Sequence, residues 1–264
     1  MKNAILIKKN TAYFYVQLLT TKNTYMKILN YLSFLLILIL AGNVSAQDNT
    51  LTKKEQKEGW VLAFDGKTAA GWRGYNKPGF PEKGWDFAEG SLHALPNGGG
   101  GDVILEKKLS NFELVLDWKI SEGGNSGIFI FGHELEGKPI YFSAPEMQVL
   151  DNDRHADAKA GKDGNHKSGS LYDMIPANPQ NTKPAGEWNS VKIVANSGNI
   201  QLWQNGVQVV QFTMGTEEWK KMCANSKFKD WPEFVNNNAK DGLIGLQDHG
   251  NEVWFKNIKI KELK

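Results

Sequence analysis

The feature that most constrains the fold of this chain is a succession of short segments in which apolar and polar residues alternate with a period of two. Residues 112–118 (FELVLDW) and 253–260 (VWFKNIKI) show it most clearly. Such alternation is typical of a β-strand that buries one face. Gly, Asn, Asp and Pro separate the segments, as turns require. The sequence predicts strands at 60–64, 112–118, 128–131, 147–150, 190–194, 200–203, 206–212, 243–247 and 253–260.

The connections between these strands contain one clear hairpin and little helix. Asn205 and Gly206 separate two alternating segments, and both can adopt the positive φ that a type I′ turn needs. Residues 216–223 start with a capping threonine and an acidic first turn, which predicts a helix, and 231–234 predict a further helical turn. The chain shows no regular alternation of strand and helix. The predicted fold class is therefore all-β, a two-sheet antiparallel jelly-roll sandwich with short helical insertions.

The N-terminal residues indicate export. A basic start at 26–27 precedes an apolar run at 28–40, and small residues at 44–46 suit cleavage between Ala46 and Gln47. The run is shorter than the roughly 20 residues that cross a bilayer, so we predict no membrane span. We expect a periplasmic or extracellular mature protein. The predicted organisation is a non-native upstream extension at 1–25, a signal peptide at 26–46, a polar leader at 47–57 and a jelly-roll catalytic domain at 58–264.

Charge and cysteine content exclude two classes of protein. The full chain has a net charge of +2, but five lysines and no acidic residue lie in 1–46, so the exported part has 26 basic and 29 acidic residues. A mildly acidic chain without basic runs is not suited to a phosphate backbone, so nucleic acid is not an expected partner. Cys223 is the only cysteine, which excludes an intramolecular disulfide.

Polar side chains on one strand give the strongest functional signal. In 146–151 (EMQVLD), Glu146 and Gln148 share a strand face, whereas Met147 and Val149 face the core. A carboxylate is unfavourable inside an apolar core, so we expect Glu146 and Gln148 to face an open groove. A solvated pair with a purely structural role is the alternative.

Two histidine-containing segments show a similar pattern. Residues 166–173 (HKSGSLYD) contain His166 and, if 170–173 is a strand, Tyr172 on its polar face. Residues 245–250 (GLQDHG) place Gln247 and His249 on one face. Histidine suits proton transfer and metal ligation near neutral pH. Taken alone, each segment is about as consistent with a structural role as with a functional one.

The nine tryptophans all lie after residue 46. Trp118, Trp203 and Trp254 fit strand positions where a large ring fills a sandwich core. Trp85 and Trp188 are candidate platforms for stacking a sugar, with a structural role as the more frequent outcome at such positions.

Six segments in order resemble the motifs of one family, the 3-keto-disaccharide hydrolases, which were once named as a domain of unknown function. The resemblance implies a fold similar to concanavalin A-like lectins and glucanases, with a carbohydrate groove on a concave sheet. It also implies that Glu146, Gln148, Asp151, His166, Tyr172, Gln247 and His249 lie on or beside that groove. The segments are 64–68 (FDGKT) with 71–72 (GW), 125–129 (NSGIF), 146–151, 169–173 (GSLYD), 183–189 (KPAGEWN) and 246–250 (LQDHG), which together cover about 58–262.

One departure concerns substrate contacts. Family members often carry an arginine after the strand at 125–129, whereas this chain has FGHE at 131–134, so His133 is the candidate replacement. With Gln148, Asp151, Gln247 and Trp188, His133 completes the predicted substrate-binding set.

The resemblance implies cleavage of 3-keto-glycosides and 3-keto-disaccharides. A ketone at C3 acidifies the C2 proton, so a base can remove it and the glycosidic oxygen at C1 leaves by β-elimination. Water then adds to the enone, and the net reaction is hydrolysis. A divalent metal held by Glu146 and His166 is a candidate electrophile. The candidate base is Glu146 or His166, the candidate acid is Tyr172 or His249, and the candidate donors are Gln148 and Gln247.

Three other functions are weighed against this one. Hydrolysis by two carboxylates is disfavoured because Gln148 stands where retaining glycosidases of this fold carry their second acid. A non-catalytic carbohydrate-binding module is the main alternative, because the same fold hosts lectins. A further alternative, an envelope interaction protein, predicts no affinity for sugars. For the enzyme and for the binding module, the expected partner is an oligosaccharide or another glycoside.

Overall fold

The computed structural model describes residues 47–264. The predictions for 1–25 and 26–46 lie outside the described residues. The described part contains thirteen strands and three short α-helices. The strands are β1 (Val61–Leu62), β2 (Trp72–Gly74), β3 (Trp85–Asp86), β4 (Leu92–Ala94), β5 (Val103–Leu105), β6 (Phe112–Ile120), β7 (Asn125–Gly132), β8 (Glu146–Leu150), β9 (Asn189–Asn196), β10 (Asn199–Gln204), β11 (Val207–Thr213), β12 (Leu243–Leu246) and β13 (Val253–Glu262). The helices are α1 (Lys53–Lys57), α2 (Glu217–Ala224) and α3 (Pro232–Val235).

The strands form two antiparallel sheets. The larger sheet has the order β11-β10-β9-β6-β13-β4-β3, with β1 also paired to β13, and the smaller has the order β2-β5-β12-β7-β8. The main hydrophobic core contains side chains from both sheets. The predicted all-β, two-sheet sandwich is therefore confirmed.

Buried and partly exposed residues alternate along the strands of the larger sheet, so this sheet buries only one of its faces. In β6 every second residue from Phe112 to Ile120 is buried, and the residues between them are partly exposed. In β13 the pairing shifts between Lys256 and Lys259, which keeps both Phe255 and Ile258 in the core. A bulge of this kind keeps apolar side chains directed at the core where the alternation of apolar and polar residues in the sequence is interrupted.

The smaller sheet uses its two faces differently. Met147 and Val149 of β8 belong to the main core, as predicted. On the outer face a second apolar cluster includes Ile104, Phe129 and Ile140. Glu146 pairs with Phe129 in the β7–β8 register, so its side chain lies on this same outer face.

Local predictions were accurate for the strongest signals. Asn205 and Gly206 have φ values of 48° and 80° and connect β10 directly to β11, as a type I′ turn requires. Helix α2 starts after the capping Thr216, whose side chain accepts a hydrogen bond from the Trp219 N–H (3.1 Å). Helix α3 accounts for the helical turn predicted at 231–234.

Two tryptophan predictions were wrong. Trp118 is buried in the core, as expected. Trp203 and Trp254 are only partly buried, because they lie on the outer face of the larger sheet under lysine amines. Lys192 Nζ lies 4.1 Å from the Trp203 ring centroid, and Lys119 Nζ lies 4.3 Å from that of Trp254.

The predicted leader packs against the domain. It contains α1, and Asp48 and Asn49 bond to the β13 bulge at Lys256 and Asn257. The compact unit accordingly starts at Asp48. Within residues 47–264, no helix is long and apolar enough to cross a membrane.

Candidate active site

An open pocket of about 690 Å³ lies on the outer face of the smaller sheet. Strands β7 and β8 supply its floor, and the segments that follow β7, β8, α2 and β12 supply its walls. The lining residues are Asn125, Tyr141, Phe142, Glu146, Gln148, His155, Ala156, Asp157, Tyr172, Lys227, Trp231, Gln247 and His249.

Glu146 is the buried acid of this pocket, with 7% of its surface exposed. Burial raises its pKa from the ordinary 4.5 to about 8, and the nearby charges of Asp102 and Asp157 act in the same direction, whereas Lys227 opposes them. Gly127 makes room for the carboxylate, because a Cβ at that position would lie 2.2 Å from Glu146 Oε1. The site thus holds a carboxyl group that takes up and releases a proton near neutral pH.

Three amide side chains surround the acid. Gln148 Oε1 accepts the Val149 N–H (3.0 Å), which leaves the Gln148 amide nitrogen as a donor. Gln247 Oε1 and Asn125 Oδ1 are buried and have no hydrogen-bond partner among the described residues. Buried polar atoms without partners are rare in folded proteins. Two such atoms in one pocket suit a ligand with several hydroxyl groups.

A hydrogen-bond network lies behind one wall. Tyr172 O–H donates to Asp157 Oδ2 (3.0 Å), and Asp157 Oδ1 contacts His166 Nδ1 (2.8 Å). His166 Nε2 contacts Asp173 Oδ1 (2.7 Å). Asp173 Oδ2 in turn accepts the backbone N–H of Lys227 (2.7 Å). This network fixes Asp157 and Tyr172 at the pocket surface.

Tyr172 owes its position to the edge of β8. Its N–H donates to Glu146 O (3.0 Å), and Leu171 forms an isolated antiparallel bridge to Met147. The predicted strand at 170–173 is thus reduced to that bridge, although it aims Tyr172 as expected. Burial, followed by the charge of Asp157, raises the pKa of the Tyr172 hydroxyl above its ordinary value.

The two histidines on the pocket rim come from different segments. His249 follows β12 and is exposed, and its ring lies 6.4 Å from that of His155 in an edge-to-face arrangement. His155 Nδ1 accepts the Asp157 N–H (3.1 Å). His249 therefore has solvent and pocket access, as a residue that exchanges protons with a leaving group requires.

The loop that carries His249 is tied to a glycine-rich loop. The Asp248 N–H donates to Asp102 Oδ1 (3.0 Å), and the Gly101 N–H donates to Asp248 Oδ2 (2.9 Å). Burial raises the pKa of Asp102 to about 7. This reciprocal pair holds the 247–250 segment against the sheet.

An aromatic wall closes one end of the pocket. Phe142 and Trp231 stack with ring centroids 4.3 Å apart, and Tyr141 lies 5.7 Å from Trp231. These rings, together with Asn125, Asp157 and Lys227, were not predicted as site residues. Asn125 could have been found, because it belongs to the motif at 125–129. The others lie in insertions whose position depends on tertiary packing.

Four predicted site residues do not line the pocket. His166 lies behind Asp157 with both ring nitrogens bonded to carboxylates. Asp151 is buried and accepts the N–H groups of Gly123 and Asp153. His133 Nε2 bonds to Asp241 O (3.0 Å). Trp188 packs under Lys256 on the larger sheet, with 4.2 Å between the amine and the ring centroid.

The predicted metal pair is not brought together. His166 has no free ring nitrogen to offer a metal. Across residues 47–264, no group of three or more His, Cys, Asp and Glu side chains is arranged to hold a metal ion. The described residues do not fit the predicted divalent metal, and we derive no step through one.

A family model for the 3-keto-alpha-glucoside-1,2-lyase-like domain matches residues 59–261. The chain belongs to this family. The resemblance inferred from six sequence segments is thereby confirmed. A Bacteroides thetaiotaomicron member, named 3-keto-disaccharide hydrolase, is 45% identical over 243 residues, which cover 83% of each chain.

Two solved structures from Parabacteroides distasonis are similar to this lyase-like family member. Both are described as candidate glycosyl hydrolases. The first is 33% identical with a TM-score of 0.74 and covers 83% of this chain and 100% of its own. The second is 26% identical with a TM-score of 0.60 and covers 77% and 99%, respectively.

Proposed function

We propose that this protein is an exported enzyme that cleaves 3-keto-glycosides, including 3-keto-disaccharides, by β-elimination followed by hydration. The observation that carries the proposal is the buried Glu146 carboxyl, with a pKa of about 8, beside two unpartnered amide oxygens in one pocket. The name of the relative that is 45% identical supports the substrate class.

Glu146 is the base in this proposal. Its carboxylate takes the C2 proton, which the C3 ketone acidifies, and desolvation makes the ionised form a stronger base than an exposed glutamate. Gly127 leaves the space on the pocket floor that this carboxylate occupies.

His249 is the acid that protonates the departing C1 oxygen. The Tyr172 hydroxyl proton is engaged with Asp157 and its pKa is raised, so Tyr172 is the weaker candidate. Gln148 donates to the substrate, and Gln247 and Asn125 accept from sugar hydroxyl groups. His166 acts as a positioning residue, because it bonds to Asp157 and not to the pocket.

A direct test compares a 3-keto-glucoside with the same unoxidised glycoside in D₂O. We expect cleavage of the keto compound alone, with deuterium at C2 of the sugar product, because elimination removes the C2 proton and hydration returns one from solvent. Cleavage without deuterium at C2 would contradict the elimination step.

The binding-module alternative makes the opposite prediction. The aromatic wall of Tyr141, Phe142 and Trp231 is the kind of surface such modules use. If neither compound is cleaved while the unoxidised glycoside binds, the module explanation is correct. In the enzyme, Glu146→Gln should reduce turnover by on the order of a hundredfold or more while the keto compound still binds.

A further inference from the structure

Lys227 is a pocket residue without an assigned role. It lies in the turn after α2 and lines the pocket together with Glu146. Its backbone N–H donates to Asp173 Oδ2 (2.7 Å), so the network behind the pocket wall fixes its main chain. The side chain extends from this anchored point toward the site.

The amine of Lys227 lacks a carboxylate partner. Within the described residues it forms no ion pair or side-chain hydrogen bond, and its contacts are the rings of Tyr172 (4.1 Å to the centroid) and Phe228 (5.3 Å). Lys119, Lys256 and Lys259, in contrast, pair with carboxylates at 2.6–2.9 Å. A lysine amine left unpaired beside a reactive acid is available for chemistry.

The surroundings of the Lys227 amine lower its pKa. Although Lys227 is an exposed residue as a whole, desolvation of its amine lowers the pKa, and this outweighs the opposite effect of Glu146, Asp173 and Asp157. A lysine that loses its proton more easily is a nucleophile toward carbonyl carbon.

We propose that Lys227 forms a covalent ketimine with the C3 ketone of the bound sugar. This inference rests on the proposed function, because only an oxidised sugar presents that ketone. The Lys227 ammonium group gives its proton to solvent and its nitrogen adds to C3. The carbinolamine then takes up a proton as water leaves, which gives a protonated imine. The imine nitrogen then serves as the electron sink for the reaction.

The remaining steps balance around this adduct. Glu146 takes the C2 proton, and the electron pair moves into the C2–C3 bond to give an enamine. The enamine expels the C1 oxygen, which takes a proton from His249, and a conjugated iminium remains. Water adds at C1, a proton returns to C2, and hydrolysis of the imine releases Lys227 and the 3-keto sugar. The water lost on imine formation is regained in this last step.

Imine formation supplies a positive charge, which the amide side chains of the pocket lack. Gln148, the amide that donates to the substrate, is neutral, so it stabilises a negative enolate oxygen only by hydrogen bonding. A protonated imine carries a full positive charge in conjugation with C2. Removal of the C2 proton therefore produces a neutral enamine.

Reductive trapping tests the proposal. The enzyme is incubated with methyl 3-keto-glucoside and sodium cyanoborohydride, and the protein is analysed by intact mass and peptide mapping. We expect one adduct on the Lys227 peptide, heavier by the mass of the bound sugar less one oxygen atom. Lys229, which is exposed in the same turn, is the internal control for non-specific modification.

Variants separate covalent from electrostatic action. Lys227→Arg keeps the positive charge but cannot form the imine, so both the adduct and turnover should be lost. Lys227→Met keeps an apolar stem against Tyr172 and should behave in the same way. Lys229→Met is the matched control and should keep wild-type turnover, and thermal unfolding checks that each variant is folded.

The outcomes distinguish this inference from the proposed function. Turnover by wild-type enzyme without an adduct, or full activity in Lys227→Arg, would overturn the imine and leave the elimination proposal intact. An absence of cleavage of any 3-keto-glycoside would contradict the proposed function itself. In H₂¹⁸O, imine turnover should also place solvent oxygen at C3 faster than the uncatalysed exchange measured without enzyme.

Discussion

A side chain at position 127 would occupy the space that the Glu146 carboxylate fills. In Gly127→Ala the added Cβ would meet Oε1 at 2.2 Å, and the flexible carboxylate would have to move away. We expect turnover of the keto-glycoside to fall by at least tenfold. The melting temperature should also fall, because the Cδ (2.7 Å) and Cγ (2.8 Å) of the buried Glu146 are too close to the added Cβ and the whole side chain must shift.

The control for this substitution is Gly79→Ala. A methyl group added at Gly79 would have no atom within 4 Å, and the backbone there does not require a positive φ. The control should therefore keep both activity and stability. Equal turnover in the two alanine variants would contradict the assigned role of Gly127.

The raised pKa of Glu146 links stability to pH. The folded protein holds this proton up to about pH 8, whereas the unfolded chain releases it near 4.5. The stability contributed by the protonated form is fully present below pH 4.5 and is lost as the pH rises through 8. The free energy of unfolding should decline by at most about 1.4 kcal/mol per pH unit from this group.

Urea unfolding of the wild type and Glu146→Gln at pH 5, 7 and 9 measures this contribution. Asp102, whose pKa is raised to about 7, titrates in both proteins, so the difference between them measures the Glu146 carboxyl together with its electrostatic coupling to Asp102 and Lys227. We expect Glu146→Gln to become relatively more stable as the pH increases. Parallel curves would show that Glu146 titrates normally.

The residues that could be predicted lie on regular strands. Glu146 and Gln148 reach the pocket because alternation on β8 depends only on local backbone geometry. Lys227 and Trp231 reach it through an insertion whose path is set by long-range contacts, such as the Asp173 bond to Lys227. His166 was predicted in the pocket because sequence cannot reveal that two carboxylates hold its ring.

At the level of secondary-structure elements, the period-two alternation of apolar and polar residues was enough to locate most strands. The short β2, β3, β4 and β5 were not predicted, because two or three residues show no measurable period. Helix α1 was also missed. It depends on a capping box at Thr52 and Glu55 within a segment that has no buried residue.

The α1 segment gives a stability prediction. Asp48 and Glu55 pair with Lys256 (2.6 Å) and Lys259 (2.7 Å). Asn49 and Asn257 each donate a backbone N–H to the other's side-chain Oδ1. A chain that starts at Gly59 should lose about 1–3 kcal/mol of unfolding free energy. Its turnover should be unchanged, because these contacts lie on the larger sheet.

The matched comparison is a chain that starts at Asp48. Chemical denaturation of both forms measures the difference, and a keto-glycoside assay measures activity. If removal of 48–58 abolished activity in a folded protein, the segment would have a role in the site that its contacts do not indicate.

For the molecule as a whole, the sequence predicts removal of residues 1–46. Full-length expression in a Gram-negative host should yield a periplasmic or extracellular protein whose first residue is Gln47, because the small residues at 44–46 suit signal peptidase. N-terminal sequencing of the secreted material measures this. Retention of the full chain in the cytoplasm would contradict it, and Ala46→Pro should block cleavage.

Strand β8 is subject to two separate constraints at neighbouring positions. Residues 147 and 149 must fit the interior of the sandwich, whereas 146 and 148 must fit whatever molecule enters from outside. Substitutions at positions 146 and 148 can thus change the reactivity of the pocket while the core packing of positions 147 and 149 is kept. A lineage built on such a strand can diversify the sugars that it consumes while its architecture is preserved.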